Sequence, residues 1–83
     1  MTQDQIFERI VQILGETFGI EAERVSRSAR LGDDLDIDSI DAVDLIVQLK
    51  PMIGHNLRPE AFKSVRTVGD VVDVVHSMMH ATA

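Results

Sequence analysis

Asp38-Ser39-Ile40-Asp41-Ala42-Val43-Asp44-Leu45-Ile46-Val47-Gln48-Leu49-Lys50-Pro51-Met52-Ile53-Gly54 decides how this chain folds. An acidic loop ends at Asp38, and helical periodicity begins directly after Ser39. Ala42, Leu45, Ile46, Leu49 and Ile53 form one apolar stripe, as a helix packed on a core requires. Ile40, Val43 and Val47 form a second stripe, rotated from the first, with Asp41 and Asp44 beside it. A helix with two apolar stripes is either buried on most sides or offers one stripe to a partner, apolar at the centre and charged at the rim. The second stripe starts one residue after Ser39, which favours the partner face. Asp38 or Ser39 caps this second helix, and Asp41 suits its positive end. Pro51 predicts an end or a kink near Lys50, with Met52 and Ile53 adding at most a turn before Gly54.

Outward from this stretch, the chain reads as helices around one long loop. Thr2-x-x-Gln5 has the spacing of a capping box. Ile6, Phe7, Ile10, Val11, Ile13, Leu14 and Phe18 then follow at helical spacing, and Gly19 fits a left-handed C-cap, so helix I spans 3–18. A connection as long as 20–38 must be pinned or functional in a small domain. Ile20, Val25, Leu31 and Leu35 supply apolar anchors, and Gly32 permits a turn. Pro59 suits the first position of a short helix III over 59–64. Thr67-x-x-Asp70 caps helix IV, whose Val68, Val71, Val72, Val75, Met78 and Met79 carry it to residue 79, with Ala81-Thr82-Ala83 as a frayed tail. The expected fold is all-α. It is a four-helix bundle with three longer helices, one short helix III and a long loop between helices I and II, in a single domain over 1–83.

Composition narrows the function. Eighty-three residues make one small domain with a thin core. There is no cysteine, which excludes disulfides, thiolate metal sites and cysteine nucleophiles. No apolar run reaches the roughly 20 residues of a membrane span, and Met1-Thr2-Gln3-Asp4-Gln5 lacks the layout of a signal peptide. The expectation is a cytoplasmic monomer. The net charge of −6 disfavours nucleic acid. That charge is uneven. Residues 33–44 carry six Asp and no Lys or Arg, whereas 45–66 carry Lys50, Arg58, Lys63 and Arg66 against Glu60. An aspartate run at a helix start repels itself, so a basic partner is the expected neighbour.

Ser39 is poorly equipped as an autonomous nucleophile. The string Ile37-Asp38-Ser39-Ile40-Asp41 is not the Gly-x-Ser-x-Gly elbow. His55, His76 and His80 are distant in sequence, and the surrounding carboxylates oppose an oxyanion. No catalytic residue is assigned. As an acceptor served by another protein's base and metal, Ser39 makes sense, because a helix N-terminus favours an attached phosphoryl group. Asp34-x-Asp36-x-Asp38 opens like a calcium loop, but Ser39 stands where glycine is needed and Leu45 where glutamate is needed. His76 and His80 lie one turn apart without a third ligand, a spacing that more often only complements a helix C-terminus, and no metal site is expected. The alternative is a small acidic helical interaction module in which Ser39 is only a helix cap.

Taken together, the chain resembles the acyl carrier protein family over nearly its whole length. The resemblance rests on Leu14-Gly15-Glu16 with Phe18-Gly19, on Val25, and on Asp34-Leu35-Asp36-Ile37-Asp38-Ser39-Ile40-Asp41. Val43-Asp44-Leu45, Leu49 and Thr67-Val68 complete it. Ile40 stands where the family signature Asp-Ser-Leu has leucine. The resemblance implies that Ser39 receives 4′-phosphopantetheine from coenzyme A, through a Mg-dependent phosphopantetheinyl transferase. The thiol of that arm would carry acyl groups as thioesters, their chains entering the bundle core. It also implies that Asp38, Ile40, Asp41, Val43, Asp44 and Val47 meet basic docking patches on ketosynthases and other acyl-processing enzymes. Gln48, Lys50 and Pro51 depart from the acidic residues that members commonly keep late in this helix. Arg58, Lys63 and Arg66 add positive charge beyond it. These departures imply a carrier dedicated to a specialised type II fatty acid or polyketide-like pathway, and Phe62-Lys63-Ser64-Val65-Arg66-Thr67-Val68 resembles carriers of aryl-polyene-type clusters. Asp38 argues against a peptide-synthesis carrier, whose pattern resembles Gly-Gly-x-Ser.

Overall fold

In a computed structural model that describes residues 2–54 and 57–79, the first helix starts as its capping box dictates. Thr2 Oγ1 accepts the Gln5 N–H at 3.2 Å, and the Gln5 side chain accepts the Thr2 N–H at 2.9 Å. Helix α1 runs Gln3–Phe18 and ends on Gly19, whose φ of 68° is the left-handed cap expected there. Helix α2 runs Ser39–Ile53 and helix α3 runs Val68–Met79. The predicted tail, residues 81–83, lies outside the described residues.

The all-helical reading holds, with a correction to its count. Three α-helices are described, not four, with single 3₁₀ turns at Ala22–Arg24 and Pro59–Phe62. The expected helix III is the second of these turns. Its bonds close over three residues: Ala61 N–H to Arg58 O, Lys63 N–H to Glu60 O and Val65 N–H to Phe62 O. Arg58 supplies no side-chain cap. A segment this short cannot meet the nucleation cost of an α-helix, so its form is set by half-buried Ala61, Phe62 and Val65 packing on the core.

The core joins one face of each helix to the long loop. Ile6, Ile10, Ile13 and Leu14 of α1 meet Leu45, Leu49 and Ile53 of α2 and Val68, Val71, Val72, Val75 and Met78 of α3, all buried. Each such side chain contributes roughly 1.5–3 kcal/mol when fully removed from water. The loop anchors Ile20, Val25, Leu31 and Leu35 are buried as expected, and Ala29 and Ile37 join them. Backbone bonds fasten the loop to the approach to α3. Leu31 N–H donates to Arg66 O at 2.9 Å, Val68 N–H to Ala29 O at 3.0 Å and Gly69 N–H to Arg27 O at 2.8 Å. The last approach needs glycine, because a Cβ at Gly69 would lie 2.9 Å from Arg27 O. Gly32 lies in a turn as expected, and the loop residue in the left-handed region is Asp36, at φ 56°. It turns the chain so that Leu35 and Ile37, on either side of it, are both buried.

α2 continues through Pro51 for the further turn of Met52 and Ile53 that the sequence allowed. The proline ring removes one hydrogen bond, that to Val47 O, on the exposed side of the helix. Half-buried Met52 and buried Ile53 continue the core-facing stripe past it. Gly54, at φ 73°, then closes the helix by donating its N–H to Lys50 O.

Candidate functional site at the start of the second helix

Asp38, not Ser39, caps α2. Its backbone is extended, its carboxylate accepts the Asp41 N–H at 2.9 Å, and its carbonyl accepts the Ala42 N–H at 2.9 Å. Ser39 is therefore the first residue of the helix proper. It is exposed, and among the described residues no hydrogen bond engages its hydroxyl. The reading of Ser39 as a mere cap loses its premise.

The helix sorts its two apolar stripes as its pattern requires. Leu45, Leu49 and Ile53 are buried, and Ala42 and Ile46 are half-buried. Ile40, Val43 and Val47 are exposed at 78%, 59% and 57%. Isolated exposed aliphatic residues need no explanation. Three on one helical face, beginning beside an exposed serine, form a patch.

A cleft of about 1090 Å³ opens between the start of α2 and the 60–71 segment. Buried Leu31, Ile37, Leu45 and Val71 and half-buried Ile46 and Phe62 give it an apolar lining. Asp38, Ser39 and Val43 stand on its edge, whereas Ile40, Asp41, Asp44 and Val47 lie outside it. The structure thus divides the expected site residues between a cleft mouth that holds Ser39 and an outer face of α2. Sequence periodicity showed the outer face. It could not show that the 60–67 segment, distant in sequence, would bring Phe62, Lys63 and Arg66 to the same cleft as Ser39.

Most of the loop's aspartates have local roles. Asp34 Oδ2 accepts the Arg30 N–H at 2.7 Å, Asp33 pairs with Arg30 at 3.4 Å, and Asp38 is spent on the cap. Among the described residues no cluster of three or more His, Asp or Glu could hold a metal ion. His55 and His80 lie outside the described residues.

Asp70, also at the cleft, has a structural role. Its carboxylate accepts the N–H groups of Arg66 and Thr67, both at 3.2 Å, while Thr67 Oγ1 accepts the Asp70 N–H at 3.1 Å. The capping box forms with aspartate in the glutamate place. The backbone N–H of Arg66, then that of Thr67, holds the Asp70 carboxyl below its ordinary value of 3.8. A lowered folded-state pKa adds stability that is complete above the unfolded value and lost as pH falls through the folded one. D70N is therefore expected to lower the urea midpoint at pH 7. The deficit should shrink as pH falls below 3.8, and an equal deficit at neutral and strongly acidic pH would contradict this assignment.

Comparison with known proteins now decides the family. The family model for a phosphopantetheine attachment site matches residues 8–75. The chain is 52% identical over 81 residues to acyl carrier protein 2 of Ralstonia nicotianae, covering 98% of this chain and 100% of that one. The chain belongs to the acyl carrier protein family. It is also 38% identical over 74 residues to the acyl carrier protein of Saccharopolyspora erythraea, with 89% and 78% of the two chains covered. A solved structure of the acyl carrier protein from Enterococcus faecalis superposes with a TM-score of 0.72 at 30% identity, covering 93% of this chain and 98% of that one. As a member of this family the chain is a carrier and not an enzyme. It carries acyl groups on a 4′-phosphopantetheine arm and works with acyl-processing enzymes. No helix among the described residues is long and apolar enough to cross a membrane.

The exposed surface fits such an arm. An accessible hydroxyl at a helix start offers the oxygen that a phosphodiester needs, and the nearby backbone N–H groups favour its negative charge. The adjacent apolar cleft can take up an alkyl chain.

Proposed function

We propose that Ser39 is the residue that takes the 4′-phosphopantetheine arm. The supporting observation is its position: exposed, first in α2, relieved of capping by Asp38, and on the mouth of an apolar cleft. The arm supplies a thiol, which explains how a chain without cysteine carries thioesters. In the loading reaction the Ser39 oxygen bonds to phosphorus and a pyrophosphate bond of coenzyme A breaks. Adenosine bisphosphate leaves, and the hydroxyl proton passes to a base on the phosphopantetheinyl transferase. The carboxylates around Ser39 make it a poor nucleophile alone, which is why the base and Mg come from that second protein.

Asp38, Ile40, Asp41, Val43, Asp44 and Val47 form the partner face in this reading. Exposed apolar residues at the centre and aspartates at the side suit a basic docking patch on a ketosynthase or another acyl-processing enzyme. The chain acts as a cytoplasmic, monomeric, single carrier domain over residues 1–83, dedicated to a specialised fatty acid or polyketide-like pathway. The lysine and proline at the end of α2 support that dedication.

Incubating the protein with coenzyme A, Mg and a phosphopantetheinyl transferase is expected to add the mass of one phosphopantetheine. Fragmentation should place it on Ser39, not on Ser26, Ser28, Ser64 or Ser77. No gain, or a gain mapped elsewhere, overturns the assignment. For the partner face, Asp41→Lys with Asp44→Lys should lower kcat/KM with a basic-patch ketosynthase. The decrease should be about tenfold at low salt, and added salt should weaken the wild type in the same direction. Unchanged kinetics would reduce those aspartates to solvated surface.

A further inference from the structure

The exposed stripe of α2 is longer than Ile40, Val43 and Val47. Pro51 is also exposed, and at about 3.6 residues per turn it continues the series at i, i+3, i+7 and i+11. The stripe has two edges of opposite charge. Asp44, Gln48 and Asp41 follow along one edge. Ser39 and Lys50 follow along the other, the edge turned toward the cleft that Ser39, Val43 and Ile46 line. Across that cleft stands exposed Lys63, with Arg66 beside it. Among the described residues, the ion pairs are Arg27 with Asp4 and Arg30 with Asp33, so Lys50 and Lys63 are unpaired. Arg66 is partly answered by Asp70, and Asp33, Asp38 and Glu60 are the exposed acids that line the same cleft, none of them in an ion pair with Lys50 or Lys63.

We propose that this docking surface is bipolar across its width. Its partner has an apolar groove with one basic wall, against Asp41 and Asp44, and one acidic wall, against Lys50 and Lys63. Pro51 extends the apolar contact by one further turn of α2. The inference rests on the partner face proposed above and adds a selection rule to it. A uniformly basic patch would pair with the aspartate edge but set like charges against Lys50 and Lys63. Like charges across an interface disfavour the wrong partner more strongly than a matched exposed pair favours the right one. The surface therefore admits a partner with both signs and penalises one with basic residues alone.

The test uses the acylated holo-protein and a ketosynthase with a uniformly basic docking patch, together with variants of that enzyme in which each patch Lys or Arg becomes Glu in turn. Lys50→Glu with Lys63→Glu is expected to raise kcat/KM with the all-basic enzyme about two- to fivefold, through KM. At least one Glu variant of the enzyme should work better with the wild-type carrier than with the double variant. Both effects should flatten in high salt. Both lysines are exposed, so an unchanged urea midpoint shows that the double variant is folded. If D41K/D44K slows turnover while K50E/K63E changes nothing, the bipolar surface is wrong and the acidic face stands. If neither pair of changes has an effect, the partner-face reading falls as well.

Discussion

Ser39→Ala is expected to abolish phosphopantetheine loading completely while leaving the fold intact. The two halves of this expectation have separate causes. Loading needs an oxygen at this position, and alanine has none. Stability is indifferent because the capping bond belongs to the Asp38 carboxylate, which accepts the Asp41 N–H. Alanine is also the better helix former at an exposed first-turn position. The change in unfolding free energy should stay within about 0.5 kcal/mol. Asp38→Ala is the complementary variant. It removes the cap and should cost about 1 kcal/mol, a drop in Tm of roughly 4–8 °C for a domain of this size. Intact mass and thermal melts of the two variants, measured side by side, read the two roles separately. Loading of S39A, or a loss of stability as large as that of D38A, would contradict the division of labour between these neighbouring residues.

That division shows where a sequence is legible. Asp38 and Ser39 are both good caps, and local pattern alone does not choose between them. The choice is made by the loop, because Asp36 at φ 56° and buried Ile37 set where the backbone enters the helix. Helices with strong local signals were readable almost to the residue. Thr2 with Gln5, Gly19, and Thr67 with Asp70 each specify an end through bonds made within a few residues. The segment 59–64 misled because Pro59 and Glu60 are sound helix-start residues. A short turn takes its form from the packing of Phe62 and Val65, which depends on chain far away. Pro51 is tolerated for a related reason. Its local cost is real, but the burial of Ile53 beyond it and the exposure of its own face let α2 continue. The candidate site divides in the same way. The partner face of α2 follows from periodicity on one helix, whereas the cleft beside Ser39 is built from three separated segments and has no local signature.

The two stripes of α2 predict opposite outcomes for the same kind of truncation. Leu49 is fully buried, at 0% exposure, in the shared core. Leu49→Ala removes its transfer free energy and leaves a cavity that the neighbouring Val and Ile side chains cannot fill. The expected cost is about 2–5 kcal/mol. A domain this small starts near the low end of the usual 5–15 kcal/mol. With a urea slope of roughly 1 kcal/mol/M, the midpoint should fall by on the order of 2 M or more. Ile40→Ala, nine residues earlier on the opposite face, removes a side chain that is 78% exposed. It should move the midpoint negligibly, within about 0.5 kcal/mol, yet lower turnover by a partner enzyme. L49A can unfold the protein outright, so Leu49→Met provides a second reading. It keeps the volume and should cost less than about 1.5 kcal/mol. If L49A were as stable as the wild type, α2 would not be held by its inner stripe. If I40A destabilised as much as L49A, the outer stripe would be core, and the partner face built on Ile40, Val43 and Val47 would lose its foundation.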